Sequence, residues 1–119
     1  MRLFQGRPVR AVERIADACE ADERVLDHLA LLGCDPSTPR ETTHYVYLPK
    51  RIAAEMVAGA LHHEGWLARV EGSVDDAWLV VATRVCTLTS VGVQETRAAL
   101  QSLASEHGGV YDGWEARTD

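Results

Sequence analysis

Trp66-Leu67-Ala68-Arg69-Val70, then Glu71-Gly72-Ser73-Val74-Asp75-Asp76, then Ala77-Trp78-Leu79-Val80-Val81-Ala82-Thr83-Arg84-Val85 is the stretch whose reading decides the fold. Two runs rich in aromatic and β-branched residues flank six positions that hold a glycine and two adjacent aspartates. That is the composition of a β-hairpin with a turn-forming loop. The second run is apolar on both of its alternating sets, so it belongs in the middle of a sheet rather than at an edge.

Upstream of the hairpin, Pro49 opens a helix that runs through Glu64. Its apolar set Ile52, Ala53, Met56, Val57, Ala60 and Leu61 recurs on one helical face. Gly65 follows where a left-handed C-terminal cap is expected. Before Pro49, Thr43-His44-Tyr45-Val46-Tyr47-Leu48 reads as a strand. Downstream of the hairpin, Thr89, Ser90 or Gly92 starts a second helix with the stripe Val93, Thr96, Leu100, Leu103 and Ala104. Gly108-Gly109 stops that helix, and Val110 to Ala116 reads as a closing strand. The order is strand, helix, strand, strand, helix, strand. Right-handed crossovers then place both helices on one face of a four-stranded antiparallel sheet. The expected class is α+β, a ferredoxin-like β-α-β-β-α-β sandwich.

The prolines and small residues of Gly33-Cys34-Asp35-Pro36-Ser37-Thr38-Pro39 break the chain ahead of this unit. Residues 1–40 are therefore read as an N-terminal helical arm with its linker, and 41–119 as the ferredoxin-like domain. Val12, Ile15, Cys19, Leu26 and Leu29 of the arm lie close to one stripe, interrupted by Asp22 and Glu23. The segment is either one helix or two, with Asp22 capping the second.

A chain of 119 residues fits one domain. No apolar run approaches the ~18 residues that a membrane crossing needs. Arg7, Arg10, Glu13 and Asp17 leave no apolar block for a signal peptide, so a cytoplasmic protein is expected. Cys19, Cys34 and Cys86 have no metal-ligand spacing and read as small hydrophobes. Most of the net charge of −6 lies in residues 41–119, with six basic residues against eleven acids, while residues 1–40 hold six Arg against seven acids. A surface of that sign repels phosphate backbones and attracts a basic protein partner.

Catalytic signatures are missing from the sequence. Neither strand-to-helix crossover has a phosphate-cradling glycine loop, and no nucleophile elbow is present. His62 and His63, adjacent on a helix, point about 100° apart and do not converge on one ion. They sit in a last turn, where a cationic side chain complements the helix dipole. His44 reads as a strand residue, and His28 and His107 as surface. Asp75-Asp76 reads as turn chemistry, with no third oxygen ligand nearby. No metal, cofactor or catalytic residue is expected. Tyr111-Asp112-Gly113-Trp114 stands apart, because a glycine inside a strand points to a bulge or a close backbone approach. Its two rings and carboxylate serve either as core or as interface anchors.

That last segment carries a resemblance. Leu32-Gly33-Cys34-Asp35, the His44-Tyr45 strand opening, Ala53-Ala54, Gly65-Trp66, Trp78 and above all Gly109-Val110-Tyr111-Asp112-Gly113-Trp114 resemble the RraB family, the regulators of ribonuclease activity B. The resemblance covers about Asp22 to Trp114. It implies a ferredoxin-like fold, no enzymatic activity, and binding to ribonuclease E that inhibits RNA cleavage. It also makes Tyr111, Asp112, Gly113 and Trp114 family-signature positions and the binding candidates. The alternative is a small-ligand-binding or homodimerising module of unrelated role, in which Tyr45, Tyr47 and one face of the Trp78 strand meet a partner across the open sheet, unless the arm covers it.

Overall fold

The computed structural model describes residues 18–72 and 75–117, and every structural statement below concerns those residues. Their order is α1 (Ala18–Leu31), β1 (Arg40–Leu48), α2 (Arg51–His63), β2 (Leu67–Gly72), β3 (Trp78–Cys86), α3 (Ser90–Glu106) and β4 (Val110–Ala116). The strands form one antiparallel sheet in the order β2-β3-β1-β4, with β3 and β1 at its centre. From β1 onward this is the ferredoxin-like α+β arrangement expected from the sequence.

Local chemistry accounts for the element ends. Asp75 and Asp76 both adopt left-handed backbone, with φ of 62° and 60°. Aspartate tolerates that conformation in a tight turn, so the pair closes the β2–β3 hairpin. Gly65 ends α2 with φ +92°, and the Trp66 amide donates to the Leu61 carbonyl at 2.9 Å. Thr89 caps α3, its Oγ1 accepting from the Gly92 amide at 3.1 Å. In the linker, the Ser37 amide and hydroxyl both donate to Asp35 Oδ1, holding that carboxyl below its usual range.

The core lies between the sheet and the helices. Val46 and Leu48 of β1, Val80 and Ala82 of β3, Val57 and Leu61 of α2, and Leu100 and Ala104 of α3 meet there. Leu29 joins them from α1. α2 is rotated relative to its expected stripe. Ala54, Val57, Ala58 and Leu61 are its buried set, whereas Ile52 and Met56 stay 66% and 57% exposed. The sequence holds two overlapping apolar stripes on this helix. The one with the smaller alanines faces the sheet and leaves the bulkier Ile52 and Met56 outside.

α1 passes through Asp22 and Glu23 without interruption. Asp22 is therefore an interior helical residue and not the cap of a second helix; residues 8–17 lie outside the described residues. On the sheet face away from the helices, Tyr45, Leu79 and Val81 form a second buried cluster, with Tyr47 against it. Tyr45, Leu79 and Val81 are buried within the single chain, and Tyr47 stays half-buried. Leu67 and Val85 are the strand residues that expose large apolar side chains.

One irregularity shapes the sheet. Along β1 and β4, His44 pairs with Trp114, Tyr45 with Gly113 and Val46 with Tyr111, which leaves Asp112 as an extra residue in a bulge. Gly113 sits in this bulge with φ +118°, in a region that side-chain-bearing residues rarely adopt. Gly113→Ala should lower unfolding stability by about 1–3 kcal/mol. Gly59→Ala, on the exposed side of α2 with open space around it, should instead raise stability by about 0.5–1 kcal/mol. Urea titration of the two variants measures both signs, and equal signs would contradict this reading of the bulge.

Candidate functional site

Two of the four signature positions, Tyr111 and Trp114, meet beneath the helices because of that bulge. On a regular strand, residues three apart point to opposite faces. The inserted residue reverses the parity, so Tyr111 and Trp114 both face the helix layer. Residues Tyr111, Asp112 and Trp114 are all about 98% buried. The structure thus brings the four together within the sheet, with their side chains inside the molecule.

Trp114 reaches a charged centre. Its indole Nε1 donates to Asp22 Oδ1 at 2.8 Å. Arg97 of α3 holds the same carboxylate from two sides, Nε to Oδ2 at 2.7 Å and Nη2 to Oδ1 at 2.6 Å. The side chains of Arg97 and Asp22 are only 11% and 2% exposed. The Arg97 guanidinium also lies over the Tyr111 ring, 4.9 Å from its centroid. One carboxylate on α1 therefore joins α3 and β4.

A second polar chain runs through His44. Tyr111 Oη lies 2.9 Å from His44 Nδ1, and His44 Nε2 lies 3.2 Å from Thr42 Oγ1. The Thr42 hydroxyl donates to the Arg84 carbonyl at 2.9 Å. A hydroxyl has one proton, so Thr42 must accept from His44, which assigns the Nε2–H tautomer. His44 Nδ1 then accepts from the Tyr111 hydroxyl. The His44 ring is stacked on Trp114 and meets Trp66 edge-on, with centroids at 6.2 and 5.2 Å. Burial, helped by the nearby Arg84 and Arg97 charges, pushes the imidazole down to about 3. Burial likewise raises the Tyr111 phenol well above its ordinary range.

His44 is neutral, with one ring nitrogen engaged by the Tyr111 hydroxyl and the other by the Thr42 hydroxyl. Among the described residues, no group of three or more His, Cys, Asp or Glu could hold a metal ion. His62 and His63 end α2, and His62 Nε2 donates to the Ala68 carbonyl at 2.8 Å, tying the helix end to β2. No helix is long and apolar enough to cross a membrane, among the described residues.

Sequence reasoning missed Asp22 and Arg97. A usable signal was present. Cys19, Asp22, Leu26 and Leu29 follow spacings of three, four and three, and Val93, Arg97, Leu100 and Ala104 follow four, three and four. Each charge is thus in phase with its helix's apolar stripe, and opposite charges on two buried stripes call for each other.

A sequence model of one protein family, described as Regulator of ribonuclease activity B (RraB), matches residues 19–116. The chain belongs to the RraB family. The match begins one residue into α1 and ends on the last residue of β4, so the RraB unit includes the Asp22 helix as well as the sheet. No curated protein matches the chain.

The buried imidazole sets an acid dependence. In the unfolded chain His44 takes up its proton near pH 6.5, whereas in the folded state it resists protonation down to about 3. This contribution to stability is therefore complete above pH 6.5 and is lost as the pH falls from there toward 3, at about 1.4 kcal/mol per pH unit. His44→Gln should be less stable than wild type at pH 7 but lose less stability between pH 7 and pH 5. Urea midpoints at the two pH values measure this, and an unchanged pH slope in the variant would contradict it.

Proposed function

We propose that this RraB-family chain is a non-catalytic, cytoplasmic regulator that binds a ribonuclease of the RNase E/G type as a protein partner and slows its cleavage of RNA. Membership of a family of ribonuclease regulators carries this reading. The net charge of −6 supports it, because an acidic domain is drawn to the basic surface with which a nuclease holds RNA and is itself a poor RNA ligand.

The docking face assigned here is the outer side of α1. Its sequence Ala18–Leu31 carries three acids besides the buried Asp22, against one arginine. Glu23 and Asp27 are exposed, Leu31 projects into solvent, and a groove of about 350 Å³ lined by Leu26, Cys34 and Leu88 runs alongside. Exposed acids around an apolar groove suit a basic, partly apolar partner surface. In this reading Tyr111, Asp112, Gly113 and Trp114 serve binding indirectly. They fix the sheet edge and the Asp22 carboxylate, and so hold α1 in place.

Titration of the full chain against a purified RNase E/G-type nuclease from the same organism tests the proposal. Binding should weaken with added salt, and stoichiometric protein should slow RNA cleavage. Glu23→Lys combined with Asp27→Lys should weaken binding by about tenfold, mainly through slower association. Absence of binding at low salt would overturn the proposal. Full-strength binding by the doubly reversed variant would remove α1 as the docking face.

A further inference from the structure

Arg84 is a cation with an unusual setting. It projects from β3 into the helix layer, and its guanidinium carbon lies over the Trp66 ring, 4.1 Å from the centroid. Its Nη2 makes one long hydrogen bond, 3.4 Å to Thr96 Oγ1, and its Nε is buried with no acceptor among the described residues. The guanidinium is planar, so its N–H groups leave it in set in-plane directions. A buried donor without an acceptor is costly, and an ordered water or an ion is one way of satisfying it.

Two cavities, of about 340 and 370 Å³, are lined by Arg84. The first lies against the beginning of α3, with Gly92 and Val93 in its wall, and offers the hydroxyls of Thr87 and Thr96, the Thr42 proton being committed to the Arg84 carbonyl. Its one carboxylate is Glu95. The second lies against the end of α3 and contains two carboxylates, Glu64 and Glu106. The helix dipole is positive toward the first cavity and negative toward the second. Charge therefore separates two spaces of similar size.

We propose that the first cavity is a binding site for a small oxyanion, a phosphate or a carboxylate, held by the Arg84 guanidinium edge and the threonine hydroxyls. Planar paired N–H donors match both oxyanions, and a space of this size accommodates a compact ligand. Glu95 opposes the anion and limits its affinity. The site adjoins the α1 groove at Leu88, but it does not depend on the reading of that groove as a nuclease face.

Amide chemical shifts of the ¹⁵N-labelled full chain, titrated with inorganic phosphate and separately with acetate at constant ionic strength, test the site. Saturable shifts should centre on Thr87, Gly92 and Thr96 for at least one anion, and which anion acts identifies the class. Arg84→Gln should weaken binding at least about tenfold, as expected for loss of a charge-assisted contact. Glu95→Gln should tighten it, and Glu106→Gln, in the other cavity, should leave it unchanged. The Glu95 and Glu106 variants decide the matter even if Arg84→Gln fails to fold, because only a ligand in the first cavity separates them. Shifts that never saturate with either anion, equal responses of those two variants, or a folded Arg84→Gln protein with unchanged affinity would overturn the proposal.

Discussion

A carboxylate almost sealed from water has to be compensated where it stands, and the compensation of Asp22 ties three elements of this protein together. Arg97 supplies the charge and two hydrogen bonds from α3, and Trp114 supplies a third from β4. Removing one partner from a buried pair of this kind costs about 3–5 kcal/mol, because the remaining charge is stranded. The arrangement is also demanding in geometry. The indole reaches Asp22 only because Trp114 faces the helices, and it faces them together with Tyr111 only because of the bulge at Gly113. A backbone irregularity in the edge strand thus decides whether α1 can dock.

The polar chain from Tyr111 through His44 and Thr42 to the Arg84 carbonyl extends the same logic across the sheet. Each member has one partner on either side, which fixes the direction of every proton and leaves the imidazole neutral. Arg97 and Arg84 flank the chain as permanent cations and reinforce that neutrality. The interior is consequently specified by orientation as well as by volume. A rigid frame that holds α1 against α3 offers a partner a preformed face, which spares the entropy of ordering it on contact.

Much of the fold was legible in the sequence. The hairpin from Trp66 to Val85, with its central strand and its turn at Asp75-Asp76, announced itself through composition, and the two flanking helices followed from periodicity and punctuation. The rotation of α2 was not legible, since Ile52/Met56 and Ala54/Ala58 belong to equally regular stripes and only the fit to the sheet chooses between them. The signature segment was legible as unusual but not as interior. A glycine between a Tyr-Asp pair and a tryptophan announces a bulge, yet whether the rings then point inward depends on pairing with β1, which is a long-range fact. Asp22 read as an interruption of an apolar stripe although its spacing was in phase. A buried charge and a surface charge look alike until the partner, 75 residues away in Arg97, is considered with it.

The account stands on Trp114 and Asp22 acting as one unit rather than as two independently buried residues. A double-mutant cycle of Asp22→Asn and Trp114→Phe, followed by urea unfolding, measures that directly. The predicted result is a coupling of at least about 1 kcal/mol, with the second substitution costing clearly less once the first has been made. Additive losses, agreeing within about 0.3–0.5 kcal/mol, would show that the indole and the carboxylate do not depend on one another and would contradict the account.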